Sequence, residues 1–294
     1  MYEKIKVCPV CGSHSFVNYL TCKDHSISQE DFTITQCTHC SFLFTNPRPT
    51  TARLPRYYQS QDYISHKDKA TNPINLAYKL ARHFTLRSKI KLVHKYQHRG
   101  HIIDIGCGTG HFLQQARRAG WNTTGVEPDA GARAIASELL GNTIYASLDD
   151  LGDHSFNMIT LWHVLEHVPD LNSYISTLKK LLTDSGTIFV AVPNHKSYDA
   201  THYQEHWAAY DVPRHLYHFD QHTLAKLFEK HQFKIIDTIP MKLDSFYVSL
   251  LSEKYLRTGI KGYANSILTG LKSNSYAKKH QLEYSSLIYV IQRK

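Results

Sequence analysis

The chain has 294 residues, of which 42 % are hydrophobic and 20 % charged, and its formal net charge is +9. This length suits one large domain with a smaller unit attached, and the hydrophobic content is ordinary for a globular protein. No apolar run approaches the roughly 18 residues that a membrane span needs, and no apolar segment of the secretion type follows the first six residues. We therefore expect a cytoplasmic protein without a membrane partner, in which cysteine pairs indicate metal more than disulfides.

Two Cys-x-x-Cys pairs lie near the amino terminus, Cys8 with Cys11 and Cys37 with Cys40, with 25 residues between the pairs. Four thiolates at this spacing suit tetrahedral zinc, because each pair can hold one side of the ion. A segment this short has little core of its own, so metal binding would supply much of its folding energy. The pattern predicts a structural zinc ribbon over residues 1–48. A redox disulfide pair and a site that has lost its metal are the alternatives.

Residues 49–99 are predicted to form a helical connector, since apolar residues recur at helical spacing between 74 and 98. The connector also contains an aromatic cluster, which would either cap a ligand pocket or pack as ordinary helix surface: Tyr57, Tyr58, Tyr63 and His66. Seven basic residues and no acid occur between positions 79 and 99. Such a helix face can attract nucleic acid, a phosphorylated small molecule or anionic lipid, or can simply be solvated.

A glycine loop follows the first predicted strand of the next segment. The strand at 101–105 is apolar apart from His101 and Asp104, and the loop after it carries Gly106, Gly108 and Gly110 before a predicted helix over residues 111–119. This arrangement lets a ligand approach the backbone closely and meet the positive end of the helix dipole. A glycine turn in some other α/β fold is the alternative.

Glu127 follows Asp104 by 23 residues and ends the next apolar strand, where a carboxylate can accept hydrogen bonds from both hydroxyls of a ribose. Regular alternation of strands and helices continues after it and predicts a doubly wound parallel α/β sheet. The remaining predicted elements are a helix over 130–140, a short strand at 143–145, a strand at 155–162, a helix capped by Asp170, a strand at 186–192, a helix capped by Asp220, and strands at 233–239 and 285–291. The 45 residues at 240–284 are too many for a hairpin loop, so extra helices are expected near 245–257 and 262–279.

The glycine loop together with Glu127 resembles the first two motifs of the class I S-adenosylmethionine-dependent methyltransferases. Three further runs resemble a large bacterial group of these enzymes that carries a zinc ribbon and is related to the sugar C-methyltransferases: NPRP at 46–49, HVLEH at 163–167 and PRHLYHF at 213–219. The resemblance implies S-adenosylmethionine as cofactor and a seven-stranded sheet in the order 3-2-1-4-5-7-6, with the last strand antiparallel. It assigns residues 100–294 to the methyltransferase domain and matches nothing in the insertion.

The resemblance also implies which residues hold the cofactor. The acid after strand one would orient the amino-acid tail, residues after strand three would bracket adenine, and residues after strand four would border the methyl donor. The implied cofactor-binding residues are Asp104, Gly106, Cys107, Gly108, Gly110, Glu127, Pro128, Leu148, Asp149, Trp162 and His163. Some ubiquinone-pathway members carry E-x-x-E-H after strand four and can bind a divalent ion. Here His163 replaces the first acid, so Glu166 and His167 alone support a second metal poorly.

Methyl transfer to a hydroxyl or a carbon acid needs a base that removes a proton, and histidine has a suitable pKa. We choose His215, because it lies in a polar-aromatic loop expected to line the acceptor pocket, with a structural histidine bonded to backbone as the alternative. His163 and Tyr217 are further catalytic candidates. Arg214 could hold a phosphate or carboxylate, Tyr210 or Tyr217 could orient the acceptor, and His195 is a weaker candidate there.

Three functions remain open on this sequence. The first is a methyltransferase acting on a small molecule, such as a sugar nucleotide or another phosphate-bearing metabolite. The second is an rRNA or tRNA methyltransferase that holds RNA with the ribbon and the basic helix, for which Lys89, Lys91 and Lys95 would be needed. The third is a non-catalytic module that recruits partners through the ribbon, although the intact Asp104 loop and Glu127 argue against it.

Overall fold

The computed structural model describes residues 1–58 and 73–294, with the backbone alone for 73–84. Of the predicted aromatic cluster, Tyr57 and Tyr58 therefore belong to the description, whereas Tyr63 and His66 lie outside the described residues. Within these described ranges, no helix has both the length and the apolar composition needed to cross a bilayer.

The amino-terminal segment forms five short strands, and Cys8 and Cys37 each begin a tight turn. In these turns Gly12 N–H donates to the carbonyl of Cys8 (2.9 Å) and Ser41 N–H donates to the carbonyl of Cys37 (2.9 Å). The turns bring the two cysteine pairs to one end of the segment. The strands are β1 (Tyr2–Glu3), β2 (Phe16–Lys23), β3 (Asp31–Cys37), β4 (Leu43–Thr45) and β5 (Arg48–Pro49).

The connector contains a long helix, and the alternating segment begins directly after it. These elements are α1 (Pro73–Tyr96), β6 (His101–Ile105), α2 (His111–Arg118), β7 (Asn122–Val126) and α3 (Ala130–Leu140). The predicted cap of α3 is confirmed, because the Asp129 side chain accepts from the backbone N–H of Ala132. Helix α2 buries Phe112, Leu113 and Ala116 against the sheet.

The middle of the chain contributes two central strands and the PRHLYHF run. The elements are β8 (Phe156–Trp162), α4 (Leu171–Leu181), β9 (Leu182–Pro193), α5 (Tyr198–Tyr203) and β10 (Tyr217–His218). Asp170 caps α4 as predicted, by accepting from Asn172 and Ser173 N–H. Strand β9 is nearly all apolar from residue 186 onward because both of its faces are buried.

The last elements include the insertion. They are α6 (Gln221–Lys230), β11 (Phe233–Pro240), α7 (Asp244–Tyr255), α8 (Lys261–Lys279) and β12 (Ser286–Arg293). Asp220 caps α6 in a capping box with Thr223. The two expected helices of the insertion are confirmed as α7 and α8, which pack against each other. Short 3₁₀ turns occupy Leu54–Tyr58, Leu148–Leu151, Leu165–His167, Gln204–His206 and Ala208–Tyr210.

The main sheet has six strands in the order β11-β12-β9-β8-β6-β7. Strands β9, β8, β6 and β7 are parallel, and β12 lies antiparallel to both of its neighbours, as the resemblance implied. The strand expected at 143–145, the third in chain order, is wrong as a full strand: it is reduced to one bridge between Val126 and Tyr145. The chain leaves the edge because Ser147 caps the 3₁₀ turn that follows.

The amino-terminal sheet is completed by a strand from the far end of the chain. Its order is β10-β4-β3-β2, with Tyr217 opposite Phe44 and His218 opposite Leu43. Phe42 stacks on Tyr217 (5.8 Å between ring centroids) and contacts Phe219 (5.6 Å). The domain boundaries at 48 and 99 stay predictions, but the first segment shares both a sheet and an apolar core with the α/β part.

This shared core generates a prediction about stability. Phe42→Ala should lower the free energy of unfolding by about 3–5 kcal/mol, because Phe42 is fully buried between the two parts. Val17→Ala on β2 is the control, since the Val17 side chain is largely exposed and should change stability by less than about 0.5 kcal/mol. Urea unfolding of both variants measures the difference. Equal stability of the two variants would contradict the shared core.

Candidate active site

The glycine loop lies at the carboxyl end of β6 and adopts a backbone that few other residues tolerate. Gly106, Gly108 and Gly110 have φ values of 69°, 52° and 81°. A Cβ on Gly106 would approach Val164 Cγ2 to 2.6 Å, whereas a Cβ on Gly108 would meet nothing within 4 Å. Gly106 is therefore needed for packing inside the protein, and Gly108 faces open space that a ligand could enter.

Asp104 is the next-to-last residue of β6 and is almost completely buried. Its Oδ1 accepts a 2.6 Å hydrogen bond from the Thr160 hydroxyl on the neighbouring strand β8. Burial raises the pKa of the Asp104 carboxyl to about 7, although the Thr160 hydrogen bond and the charge of Lys89 oppose the rise. A cationic group brought to this carboxylate would relieve the cost of burying it.

Lys89 of α1 is a functional candidate that sequence reasoning placed on an RNA-binding face. Its ammonium lies 4.1 Å from the centroid of the Trp162 ring. Burial lowers the pKa of Lys89 to about 8, against the raising effect of the Asp104 and Asp244 carboxylates. On the same helix Lys95 pairs with Asp237 (3.3 Å). Two of the three lysines expected to contact RNA are thus engaged within the chain.

Glu127 lies at the end of β7, beside the glycine loop. Its Oε2 accepts from Gly108 N–H (2.8 Å) and its Oε1 accepts from Asp129 N–H (2.9 Å). These bonds fix the carboxylate at the exit of the strand and leave further lone pairs on both oxygens. Pro128, which follows, is exposed.

Three other residues expected near the cofactor occupy different environments. The Cys107 thiol points into a small apolar cluster with Leu113 and Leu140, so only the backbone of Cys107 faces the loop. Leu148 is half-buried and Asp149 is exposed, both on the 3₁₀ turn after the edge bridge. The contact of Leu148 and Asp149 with adenine stays a prediction.

His163 follows β8 and connects the site to the insertion. Its backbone is left-handed (φ 58°), which turns the ring between two carboxylates. Nε2 lies 3.3 Å from Asp244 Oδ2 on α7, and Nδ1 lies 3.4 Å from Glu166 Oε1. Burial opposes the charged ring, but the two neighbouring carboxylates, Asp244 and Glu166, outweigh it and raise the pKa of His163 to about 9. The imidazolium is therefore the favoured form at neutral pH.

Glu166, His167 and His215 form a compact cluster that the sequence did not bring together. One ligand atom from each lies within 4.8 Å of those of the other two, a separation that would suit a shared metal ion. The Glu166 carboxylate is buried, and neither oxygen accepts a hydrogen bond from the described residues. Burial raises the pKa of Glu166, but His163, His215 and His167 more than offset this and hold it below its usual value. Folding thus brings His215 to the two potential metal ligands of the HVLEH run, Glu166 and His167.

His215 has a defined tautomer in this cluster. Its Nδ1 lies 2.8 Å from the carbonyl of Ala209, which can only accept, so Nδ1 carries a proton. In the neutral ring Nε2 then holds the lone pair, 3.9 Å from Asp211 Oδ2. His167 meets the His215 ring edge-on at 4.6 Å. Burial and the charge of His215 lower the pKa of His167 to about 4, so His167 is neutral.

Arg214 is already paired within the chain. It donates to Asp211 (2.6 Å), to Asp24 of the amino-terminal segment (3.1 Å) and to the carbonyl of Tyr57 (3.1 Å). These contacts hold the loop of His215 against the first sheet. The predicted contact of Arg214 with a substrate anion stays a prediction.

The other acceptor-site candidates are also buried. The Tyr217 hydroxyl accepts from Arg48 (2.9 Å) and donates to the carbonyl of Pro169 (2.9 Å). The Tyr210 ring packs edge-on against Trp207 and His218. His195 is enclosed, with Nε2 3.6 Å from Asp220, and burial lowers its pKa to about 4. Their roles toward an acceptor stay predictions.

The four predicted zinc ligands lie together. Cys8 Sγ and Cys40 Sγ are 3.6 Å apart, Cys11 Sγ and Cys37 Sγ are 3.5 Å apart, and all four sulfurs lie within 4.8 Å of one another. Sulfurs bound to a tetrahedral zinc at about 2.3 Å would be separated by roughly 3.8 Å. The four thiols are free of disulfides, and their arrangement fits a zinc ion.

Comparison with known proteins identifies a family and relatives whose similarity covers only part of this chain. A family model described as a methyltransferase domain matches residues 77–238, just over half of the chain. A ubiquinone biosynthesis O-methyltransferase of Rhizobium leguminosarum is 31 % identical over 101 residues, which cover 32 % of this chain and 40 % of that protein. The protein with the same description from Actinobacillus pleuropneumoniae is 35 % identical over 107 residues, covering 32 % and 45 %. The chain thus spans less than half the length of these curated relatives.

A solved structure shares the fold. Magnesium protoporphyrin IX methyltransferase from Synechocystis, with bound SAH, aligns with a TM-score of 0.50 and 17 % identity, over 83 % of this chain and 94 % of that chain. At this identity the likeness concerns the arrangement of strands and helices alone.

The raised pKa of His163 predicts a pH-dependent contribution to stability. Its pKa lies near 9 in the folded chain and near 6.5 without these carboxylates. The contribution is therefore complete below pH 6.5 and is lost as the pH rises through 9. The stability difference between wild type and His163→Gln should be larger at about pH 6 than at about pH 10, as measured by urea unfolding. His222→Gln, on an exposed part of α6, is the control. A His163→Gln difference that does not vary with pH would exclude this ion-pair cluster.

Proposed function

The chain belongs to the methyltransferase-domain family, and on that basis we propose that it transfers a methyl group from S-adenosylmethionine to a hydroxyl-bearing small molecule. The observation that carries the proposal is the glycine loop of β6, with its open space at Gly108 and the Glu127 carboxylate beside it. When bound, S-adenosylmethionine supplies a methyl group that its sulfonium already activates. The protein therefore has to bind, align, exclude water and remove one proton.

The charges at the carboxyl ends of the strands support binding of a zwitterionic amino-acid tail. The buried Asp104 carboxylate would accept from the α-ammonium group, and this contact would bring its raised pKa back down. The Lys89 ammonium would face the α-carboxylate, with Trp162 beneath it. Glu127 would accept hydrogen bonds from the ribose hydroxyls through its remaining lone pairs. Binding would thus neutralise two charges whose burial is costly without a partner.

A matched pair of glycine variants tests the cofactor site. Gly108 and Gly141 both have positive φ (52° and 63°), and an added Cβ meets nothing within 4 Å at either. Backbone strain from alanine should therefore be similar at both positions. Gly108→Ala should weaken S-adenosylmethionine binding by about tenfold or more, since its methyl group occupies space beside the backbone that the cofactor needs. Gly141→Ala, at the far end of α3, should bind normally. Calorimetry gives both affinities, and equal affinities would refute the proposed loop.

His215 is the base in this proposal. In the neutral tautomer Nε2 can take the hydroxyl proton of the acceptor, while the acceptor oxygen forms its bond to the methyl carbon and the carbon–sulfur bond breaks. The proton stays on His215 and the sulfur becomes a neutral thioether. The ionised Glu166 and Asp211 carboxylates would stabilise the imidazolium that forms. A carboxylate beside a histidine base can orient the ring and stabilise its charged form.

Replacement of His215 tests this role. His215→Ala should lower turnover of the wild-type acceptor by about 10²–10⁴-fold and leave cofactor affinity unchanged. His222→Ala, on the exposed face of α6, is the control and should keep full turnover. Full turnover in His215→Ala would remove it as the base. Activity that a chelator abolishes and a divalent ion restores would instead assign His215 to a metal site with Glu166 and His167.

The proposal also concerns the chemical class of the molecule that accepts the methyl group. The curated relatives are named as ubiquinone biosynthesis O-methyltransferases, which supports a small molecule and transfer to oxygen. A sugar nucleotide or another phosphate-bearing metabolite is the class suggested by the resemblance of the NPRP and PRHLYHF runs. Recognition of its phosphate by Arg214 would require the guanidinium to exchange Asp24 or Asp211 for the substrate.

The amino-terminal segment completes the proposal as a structural zinc ribbon held by Cys8, Cys11, Cys37 and Cys40. Metal analysis of the purified chain should find about one zinc per molecule, and Cys11→Ser should lose it together with stability. Cys22→Ser is the control, because Cys22 is a buried thiol outside the cluster. Zinc content that is the same in both variants would contradict the assignment.

A further inference from the structure

Helix α8 turns its large apolar side chains outward. Ile267, Leu268 and Leu271 are each 55 % exposed, Tyr263 is 53 % exposed, and Ile260, just before the helix, is 89 % exposed. On a helical projection Ile260, Tyr263, Ile267 and Leu271 fall on one stripe, with Leu268 beside it. Contiguous exposed apolar residues, especially when polar residues surround them, mark sites of contact with a membrane or another protein.

The opposite face of α8 is made of small residues, and it is this face that packs on the protein. Gly262, Ser266, Gly270, Ser273 and Ala277 are buried. A Cβ on Gly270 would come within 2.5 Å of Phe246 Cδ1, so the close approach of α7 depends on the glycine. The helix is thus docked through its small residues, and its apolar stripe faces away from the core.

The exposed charges of the stretch that contains α7 and α8 have one sign. Between residues 241 and 282 the chain has two acids, and both are engaged inward. Asp244 contacts His163, and the buried Glu253 accepts from Tyr203 and Thr258. The basic residues of this stretch are all exposed: Lys242, Lys254, Arg257, Lys261, Lys272, Lys278 and Lys279.

We propose that α8 and the adjoining end of α7 form a docking surface for an anionic phospholipid membrane. An interfacial helix inserts its apolar stripe at the boundary between headgroups and acyl chains, while flanking lysines meet the lipid phosphates. A second copy of this chain fits the surface less well, because seven cations on one copy would face seven on the other. Asp244, at the start of α7, contacts His163, so α7 connects the docking surface to the candidate active site.

Vesicle binding tests the proposal without reference to methyl transfer. The full chain should sediment with vesicles of phosphatidylglycerol and phosphatidylcholine in equal parts, and much less with phosphatidylcholine alone. Raising the salt concentration should weaken binding to the anionic vesicles, because it screens the lysines. Ile267→Asp with Leu271→Asp should reduce the partition coefficient by about tenfold or more, since it places two charges in the apolar stripe.

The control introduces two aspartates at exposed apolar residues outside α8. Val17→Asp with Ile135→Asp, on β2 and α3, should bind vesicles like the wild type. Circular dichroism verifies that both double variants fold. The proposal fails if the wild type ignores anionic vesicles, or if the two double variants bind equally. It also fails if the wild type is a dimer that Ile267→Asp with Leu271→Asp converts to a monomer without any vesicle binding, which would assign the stripe to a second copy.

Discussion

The burial of the Asp104 carboxylate at the centre of the parallel sheet is the constraint on which the rest of the site depends. A charge in that position is costly unless polar groups converge on it. Thr160 donates to it from β8, and Lys89 reaches toward it from α1 across the face of Trp162. The charge of Asp244 in the insertion also acts on Lys89, so charged groups from the connector helix, the sheet and the insertion influence one another here.

A second set of contacts connects the amino-terminal segment to the loop of His215. Strand β4 pairs with β10, Arg214 reaches Asp24, and the Thr45 hydroxyl donates to the carbonyl of His215 (2.8 Å). A zinc ion held by the four cysteines would stabilise the strands that pack against this loop. The same contacts explain why the tyrosines expected at the acceptor site are buried.

Much of the fold could be predicted because local signals agreed with the tertiary arrangement. Asp129, Asp170 and Asp220 each precede an apolar helical pattern and each cap a helix. The prediction of a strand at 143–145 is wrong, because the pairing of a short edge segment depends on its tertiary surroundings, and here Ser147 begins a 3₁₀ turn soon after the single bridge. The cluster of Glu166, His167 and His215 also escaped prediction, since nearly fifty residues separate its parts and no spacing rule connects them.

The sequence by itself determined the strand–loop–helix of the glycine motif, the acid at Glu127, the four-cysteine pattern and the helices of the insertion, because each depends on neighbours close in the chain. Only the tertiary structure decided which groups meet. It placed the Lys89 ammonium against the Trp162 ring, paired Arg214 with two carboxylates and brought His215 to Glu166. It also turned the apolar stripe of α8 outward, because the small residues on the other side of that helix allow the closer packing.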